Sequence, residues 1–448
     1  MTPNDGSDTD TEQNRTEWRV GTATRVITPE RLILLSGYGD RTEPSTGTAM
    51  ELHAKAVALE DEKGSVAVIV GVDVLGVTRD LHAAVVRRCR QEYGLESAEL
   101  LVNASHTHHG PEYRVDDSRL WDTAGTNDQR AREYRERLED EIVDVVGAAL
   151  EARSDADLRY SHGRCGFGMN RRRPGPDGFD LASYPDGVVD TDVPVLVATS
   201  DDTVRAILFG YACHPTSHPK MREFHPDWPG VATAALEERF PDATAVFLQG
   251  CAADQNPVPR REREQTVQHG QTAANAVEAA IGARGKSVRG PLRTLTEETT
   301  LEFEEQPDRA ELERRLADAD GEDRYANRLL DVLDRDGEIR TEFPYLVQAI
   351  GFGSDLTLVS LPGEVPVRYA HRITDALAGD TWVAAYSNHG YVYVPTDRQL
   401  YEGGYEPTWV FIYWDYPAPV KPSTEDRIAE TALALAQRAG ATRRDERE

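Results

Sequence analysis

The sequence predicts an α/β protein: mixed sheets flanked by helices, an active site at the C-terminal ends of strands, and an α+β extension. Three observations carry this reading. Strand-like and helix-like segments alternate along most of the 448 residues. Five polar motifs each follow a segment that reads as a strand, which is where open α/β sheets place their ligands. Beyond about Leu292 the alternation gives way to long strands and a highly charged helical stretch.

In chain order, Ser65–Val77 is a β-branched run long enough for a buried strand, and Leu81–Tyr93 has helical spacing. Glu99–Ala104 reads as a strand entering the His-rich loop SHTHHG, and Arg130–Ala152 as a charged amphipathic helix. Val193–Thr199 and Val204–Cys213 form a hairpin turning at Asp201–Asp202. Val231–Phe240 is helical, Ala243–Leu248 a strand and Gln268–Ala283 a helix. In the second half, Leu292–Phe303 is strand-like and Asp308–Arg335 is a long helix or a helix pair. Phe343–Phe352 and Asp355–Leu361 make a hairpin through Gly353–Ser354. Pro366–Ala378 is helical, Trp382–Tyr386 a strand, and Thr424–Arg438 the closing helix. No internal repeat or Pro/Gly/Ser-rich linker interrupts this order. One large domain over 19–440 is expected, with a sub-boundary near 290, a disordered acidic tail over 1–18 and a flexible C-terminus over 441–448.

Composition narrows the setting. Asp and Glu total 78 against 50 Lys and Arg, a net charge of −28, and the only lysines are Lys55, Lys63, Lys220, Lys286 and Lys421. Such a surface disfavours nucleic acid and anionic membranes. Acidity spread along the whole chain suits a salty cytoplasm, where molar salt shortens the screening length to about 3 Å. No apolar run approaches the roughly 18–20 residues of a membrane span, and the polar stretch Met1–Arg19 lacks the apolar core of a secretory signal. A cytoplasmic location is expected. Cys89, Cys165, Cys213 and Cys251 are too scattered for a zinc knuckle or a disulfide framework, so buried free thiols are expected.

The motifs are Asn103–Pro111 (NASHTHHGP), Gly210–Thr216 (GYACHPT), Phe247–Pro257 (FLQGCAADQNP), Leu361–Glu364 (LPGE) and Tyr391–Thr396 (YVYVPT), the last followed by Glu402–Glu406 (EGGYE). His106 and His108, two residues apart in extended chain, present two imidazoles to one side. Three of the 12 histidines fall within four residues here. Neutral imidazole is a common zinc ligand. His214 offers a second histidine source. His218 and His225 fall in a proline-containing polar loop and read as solvent-facing, and His109 with His218 is assigned to the surrounding loops. Asp254 and Asn256 either orient neighbouring groups or close an Asx turn. Glu364 is either a ligand carboxylate or a helix-start glutamate. Two His plus a carboxylate is a familiar catalytic zinc set.

Together these segments resemble the N-terminal catalytic domain of the neutral, non-lysosomal ceramidase family. The likeness runs in order from about Arg19 to Pro419, through Gly21-Thr22-Ala23, SHTHHGP, the MNRRRP of Met169–Pro174, ACHPTS, GCAADQNP, LPGE, YVP and EGGYE. It implies one zinc per chain, held by His106, His214, Glu364 and Tyr393, with Tyr391 a rival for the last place. It also implies that His108, Arg171 and Tyr405 contact the substrate and the developing charge. The family's C-terminal immunoglobulin-like domain is not expected here, since the chain ends soon after the closing helix. One departure stands out: Asn256 replaces the family's serine in the Gly-Asp-Val-Ser-Pro-Asn pattern. A serine nucleophile is therefore excluded, while metal-activated water is not.

The expected function is zinc-dependent hydrolysis of the amide bond of an N-acylated, lipid-like or small-molecule substrate. The alternatives are a zinc hydrolase of esters, lactones or non-sphingoid amides, and an inactive metal-containing binding protein.

Overall fold

A computed structural model describes residues 17–114, 126–176, 178–319, 323–409 and 416–444. A nine-stranded mixed sheet is built from β1 (Trp18–Val26), β2 (His53–Asp61), β3 (Val66–Val72), β4 (Leu100–Ala104), β5 (Ser154–Arg164), β6 (Asp192–Ser200), β7 (Thr203–Tyr211), β8 (Thr244–Gln249) and β9 (Lys286–Val288). Its order is β8-β7-β6-β5-β1-β2-β3-β4, with β9 beside β5. A four-stranded sheet follows in the order β10 (Leu292–Glu302), β11 (Glu342–Phe352), β12 (Leu356–Ser360), β13 (Asp380–Ala384). The chain is thus a mixed α/β fold.

Most neighbours are antiparallel, and three pairs are parallel: β3 with β4, β7 with β8, and β12 with β13. Parallel neighbours need a crossover. Helices α1 (Arg79–Tyr93), α3 (Asp227–Arg239) and α7 (Val367–Ala376) provide the three; α2 (Thr126–Glu151) packs across β1 and β2, and α4 (Arg263–Gly282), α5 (Arg309–Asp318) and α6 (Arg324–Asp336) fall between α3 and α7 in the chain. These parallel strands are apolar runs with nearly every residue buried, as in β4 (Leu-Leu-Val-Asn-Ala) and β12 (Leu-Thr-Leu-Val-Ser). In the β6–β7 hairpin, Asp201 and Asp202 both take positive φ (49° and 59°), the tight-turn geometry that matches strand twist.

The two sheets share their cores. One apolar cluster joins Val68, Val70 and Val102 to Tyr345, Val347 and Val359, and a second joins Trp18, Val57 and Ile69 to Phe352, Leu358 and Trp382. The expected boundary near 290 is therefore a junction between sheets whose hydrophobic interiors are continuous. Hydrogen bonds also stitch the sheets at their C-terminal ends. Ala104 N–H donates to Tyr386 O (3.0 Å), Ala385 N–H to Gln249 O (2.9 Å), and Asn103 Nδ2 to Ala385 O (2.6 Å). This seam brings His106 and Glu364, 258 positions apart, to one place.

Elements read from the sequence are present within a few residues, and the stretch at 308–335 is a helix pair, Arg309–Asp318 and Arg324–Asp336. At the termini, Trp18 opens β1 with its side chain buried, and Thr442–Arg443 pairs with Leu377–Ala378. The rest of the expected N-terminal tail, bar Glu17, lies outside the described residues, as do residues 445–448. All four cysteines are free and buried. Among the described residues no helix is long and apolar enough to cross a membrane.

Candidate metal centre

Each parallel pair delivers part of one site from its C-terminal end. His106 follows β4 in a left-handed conformation (φ 64°), fixed by its N–H donating to Val74 O. Its Nδ1 lies 2.6 Å from Leu75 O, so Nδ1 carries the proton and Nε2 keeps its lone pair for the site. His214 follows β7 and repeats the arrangement, with Nδ1 2.7 Å from Ala252 O and its own N–H on Gln255 O. Glu364 follows β12 through Gly363, whose φ of 77° suits glycine and where a Cβ would meet Val392 O at 2.3 Å. Helix α7 begins only at Val367, and Glu364 instead bridges Tyr393 in parallel fashion. The helix-start reading of Glu364 is thereby corrected.

These side chains converge in a buried space. Glu364 Oε2 lies 3.4 Å from His106 Nε2 and 3.2 Å from His214 Nε2, and His108 Nε2 lies 3.3 Å from His106 Nε2. The three histidines offer ring nitrogens within 4.8 Å of one another. Burial, then Arg171, pushes His214 down to about 4, and burial, then His106 and His214, holds His108 well below the usual imidazole range. Burial alone would raise Glu364, but His106 and His214 outweigh it and hold its carboxyl below the usual range. The result is a set of imidazole nitrogens gathered around an ionised carboxylate. That donor set fits a divalent cation such as zinc.

His108 differs from the other two. Among the described residues, its buried Nδ1 has no hydrogen-bond partner. Ligating histidines almost always anchor the second ring nitrogen, as His106 and His214 do. His108 could complete a three-histidine set, but its missing anchor separates it from the pair that is tethered for ligation. Its ring packs on Tyr38 at 4.9 Å, and its carbonyl accepts from Arg41.

The remaining sequence-derived residues face the same cavity, of about 300 Å³, which is lined by Tyr393, Tyr405, Arg171 and Asn256 together with the histidines and Glu364. Arg171 Nη2 donates to Tyr393 OH at 3.0 Å, and its Nη1 lies 3.3 Å from His214 Nε2. Its guanidinium stands 5.4 Å from the Tyr405 ring. Tyr391 instead packs against the Arg114 guanidinium at 4.4 Å and does not line the cavity.

Three further residues surround the site. Tyr386 stacks 4.4 Å from the His106 ring, its hydroxyl 3.5 Å from Glu364 Oε2. The sequence reads it as the last residue of a strand, which the structure ends at Ala384. Glu406, buried, binds Arg171 Nε (3.0 Å) and Arg172 Nη1 (2.5 Å) at once. Asp254 is both orienter and cap: Oδ1 accepts from Val367 N–H at the start of α7, while its carbonyl accepts from Arg171 N–H. The loop histidines differ from expectation. His109, His218 and His225 are 0%, 2% and 8% exposed, with His218 stacked on His225 at 4.0 Å. They form a packed histidine cluster because Asp227, deeply buried, pins the loop through the N–H groups of Ser217 and His218.

A family model described as neutral/alkaline non-lysosomal ceramidase, N-terminal, matches residues 18–291. His106, His108, Arg171 and His214 lie inside that match, and Glu364, Tyr393 and Tyr405 beyond it. Among solved structures, neutral ceramidase from Pseudomonas aeruginosa is similar with a TM-score of 0.70 and 20% identity, over 96% of this chain and 77% of that one. A ceramidase complexed with C2 gives 0.71 and 18% identity, over 95% and 76%. At such identities the likeness speaks for the fold. No curated protein matches the sequence.

Proposed function

The chain belongs to the neutral/alkaline non-lysosomal ceramidase family, and from that premise we propose that it is a zinc-dependent hydrolase of N-acyl amide bonds. The family implies the amide chemistry. The observation that carries the metal reading is the meeting of His106 Nε2, His214 Nε2 and Glu364 Oε2, with both histidines anchored through Nδ1 to main-chain carbonyls. His106, His214 and Glu364 would hold the ion, and Tyr393 would complete the set. Zinc bound there supplies a Lewis acid and makes water a competent nucleophile near neutral pH.

The protein's own groups divide the remaining work. His108, whose Nε2 is turned toward the ligand atoms, takes the proton of the attacking water and returns it to the leaving amine. Water adds to the amide carbon, the C–N bond breaks, and a carboxylic acid and an amine leave. Arg171 and Tyr405 donate toward the carbonyl oxygen as charge develops on it. Asn256 stands where the family has serine, so the chain offers no serine nucleophile at that position.

The test is a panel of N-acyl amines, esters and lactones assayed before and after chelation. Amide hydrolysis should disappear with chelator and return with added zinc. Full activity after thorough chelation would refute the metal mechanism, and cleavage of esters or lactones alone would replace the amidase reading.

We also propose that the acidic surface adapts the protein to a salt-rich cytoplasm. Self-repulsion among a net 28 negative charges falls as salt screens it. The melting temperature should climb steeply between low salt and molar KCl. A flat response across that range contradicts the adaptation.

A further inference from the structure

The cavity beside the histidine cluster is more cationic than the protein that contains it. Lys220, Arg260 and Arg261 line it with Tyr38 and Asp40. Arg261 donates to the Tyr38 hydroxyl, and its guanidinium lies 4.7 Å from the centre of that ring. Lys220 Nζ is 4.7 Å from the same ring, and Arg41 4.6 Å. Tyr38 in turn packs on His108, so the cations stand one ring away from the proposed base.

Not all of this charge is available. Arg41 is buried and committed to the carbonyls of Ser36, His108 and Met221. Lys220 faces Asp40 at 3.2 Å in an exposed pair. Arg171 is neutralised by Glu406, and Arg114 by Glu112. Arg260 and Arg261 are different: among the described residues, neither has a carboxylate within ion-pair distance. Arg260 donates to Thr216 Oγ1 at 3.1 Å, and Thr216 donates to Asn256 Oδ1 at 3.4 Å. Asp227, whose charge acts on Arg261, already accepts three main-chain N–H groups. Arg261 is also held at φ 85°, an unfavourable backbone for a long side chain.

Acids exceed bases by 28 in this chain (78 against 50), so carboxylate partners are plentiful elsewhere. Two half-buried guanidiniums of consecutive residues, without one, on the wall of a reaction cavity, match an oxyanion from solution in charge and in hydrogen-bond donors. Among the described lining residues the only aliphatic side chains are Leu75 and Leu181, and the volume of about 300 Å³ is small for a ligand site. We propose that Arg260 and Arg261, with Lys220 at the rim, form an anion subsite, and that the substrate is a compact N-acyl compound bearing a carboxylate or phosphate. Asn256 is then a positioning residue, holding Thr216 against Arg260. The identification as substrate rests on the hydrolase reading; the subsite does not.

Two measurements on the full chain, supplied with zinc and at fixed salt, test this. Calorimetry compares hexylphosphonate with hexanol as ligands of the wild type, of Arg260→Gln/Arg261→Gln and of Glu364→Ala. The wild type should bind hexylphosphonate in preference to hexanol, and the double arginine variant should bind it about tenfold more weakly or worse, the weight of a lost charge-assisted hydrogen bond. Kinetics compare N-hexanoylglycine and N-hexanoylphosphoethanolamine with neutral N-hexanoylethanolamine. The wild type should favour at least one anionic amide, and which one identifies the head as carboxylate or phosphate. In the double variant that preference should shrink toward one. If phosphonate binding ignores the arginines and is lost only in Glu364→Ala, the anion sits on the metal and the inference falls. Equal cleavage of neutral and anionic amides by the wild type, which needs no variant to fold, also overturns it while leaving the hydrolase reading intact. Arginine-dependent phosphonate binding without any amide cleavage supports the subsite and removes the hydrolase reading instead.

Discussion

Replacing His106, His214 or Glu364 by alanine is expected to abolish measurable turnover, a loss beyond the roughly 10–100-fold typical of a disrupted outer-shell partner. The expectation follows from how few groups define the site. Glu364 Oε2 stands 3.2–3.4 Å from both histidine nitrogens, and each ring is held in one tautomer by main-chain carbonyls, Leu75 O for His106 and Ala252 O with Gln255 O for His214. Removing any one leaves too few ligands for an open site. Glu364→Gln is the sharper variant, since it keeps the side-chain volume and removes only the charge. Tyr391→Phe is the matched control, because its ring lies against Arg114 and away from the cavity. Steady-state kinetics on an N-acyl amide read the result; a Glu364→Gln enzyme within about threefold of wild type would contradict a ligand role, since even outer-shell partners cost more than that.

Glu406→Gln should produce the largest loss of stability among substitutions near the site. The carboxylate is 2% exposed and neutralises two buried guanidiniums, Arg171 and Arg172. Removing one partner of a buried ion pair costs about 3–5 kcal/mol, because the remaining charge stays buried and unpaired. For a chain of this length that corresponds to a melting-temperature drop of about 4 °C, given the usual unfolding entropy per residue. Arg172 keeps contacts to Glu402 and Gly403 O, so Arg171 bears most of the loss. Turnover should fall with it, since Arg171 then lacks the group that fixes it against Tyr393 and His214, while bound zinc is retained. A variant that melts with wild type, or purifies without metal, contradicts this division between positioning and ligation.

How much of this is written in the sequence depends on what each residue contacts. The strands that bear the site are buried on both faces, and Val66–Val72 and Leu100–Ala104 accordingly read as continuous apolar runs. Strand β5 was invisible to that criterion: Ser154–Arg164 alternates buried and exposed positions and carries Asp155, Asp157 and Arg159 outward. Strand β2, His-Ala-Lys-Ala-Val-Ala-Leu-Glu-Asp, is buried with alanines that favour helix in isolation, so only its neighbours make it a strand. At the site, His106, His214 and Glu364 stood out only through several strand-end motifs taken together and through the family resemblance, because a lone histidine or a helix-start glutamate is ordinarily structural. Tyr386 and Glu406 did not, since their meaning comes from partners 280 and 235 positions away, His106 and Arg171. The burial of His109, His218 and His225 was hidden for the same reason: prolines mark a loop, but Asp227 beneath it decides that the loop folds inward.

The central claim is that His106, His214 and Glu364 hold one catalytic metal ion, and the metal content of the purified protein tests it most directly. Prepared without chelator, the wild type should carry about one zinc per chain, the stoichiometry of a single catalytic site. His214→Ala and Glu364→Gln, folded by circular dichroism, should each carry a small fraction of that. Wild-type zinc in both variants, or a fully active wild type with no metal at all, would contradict the account.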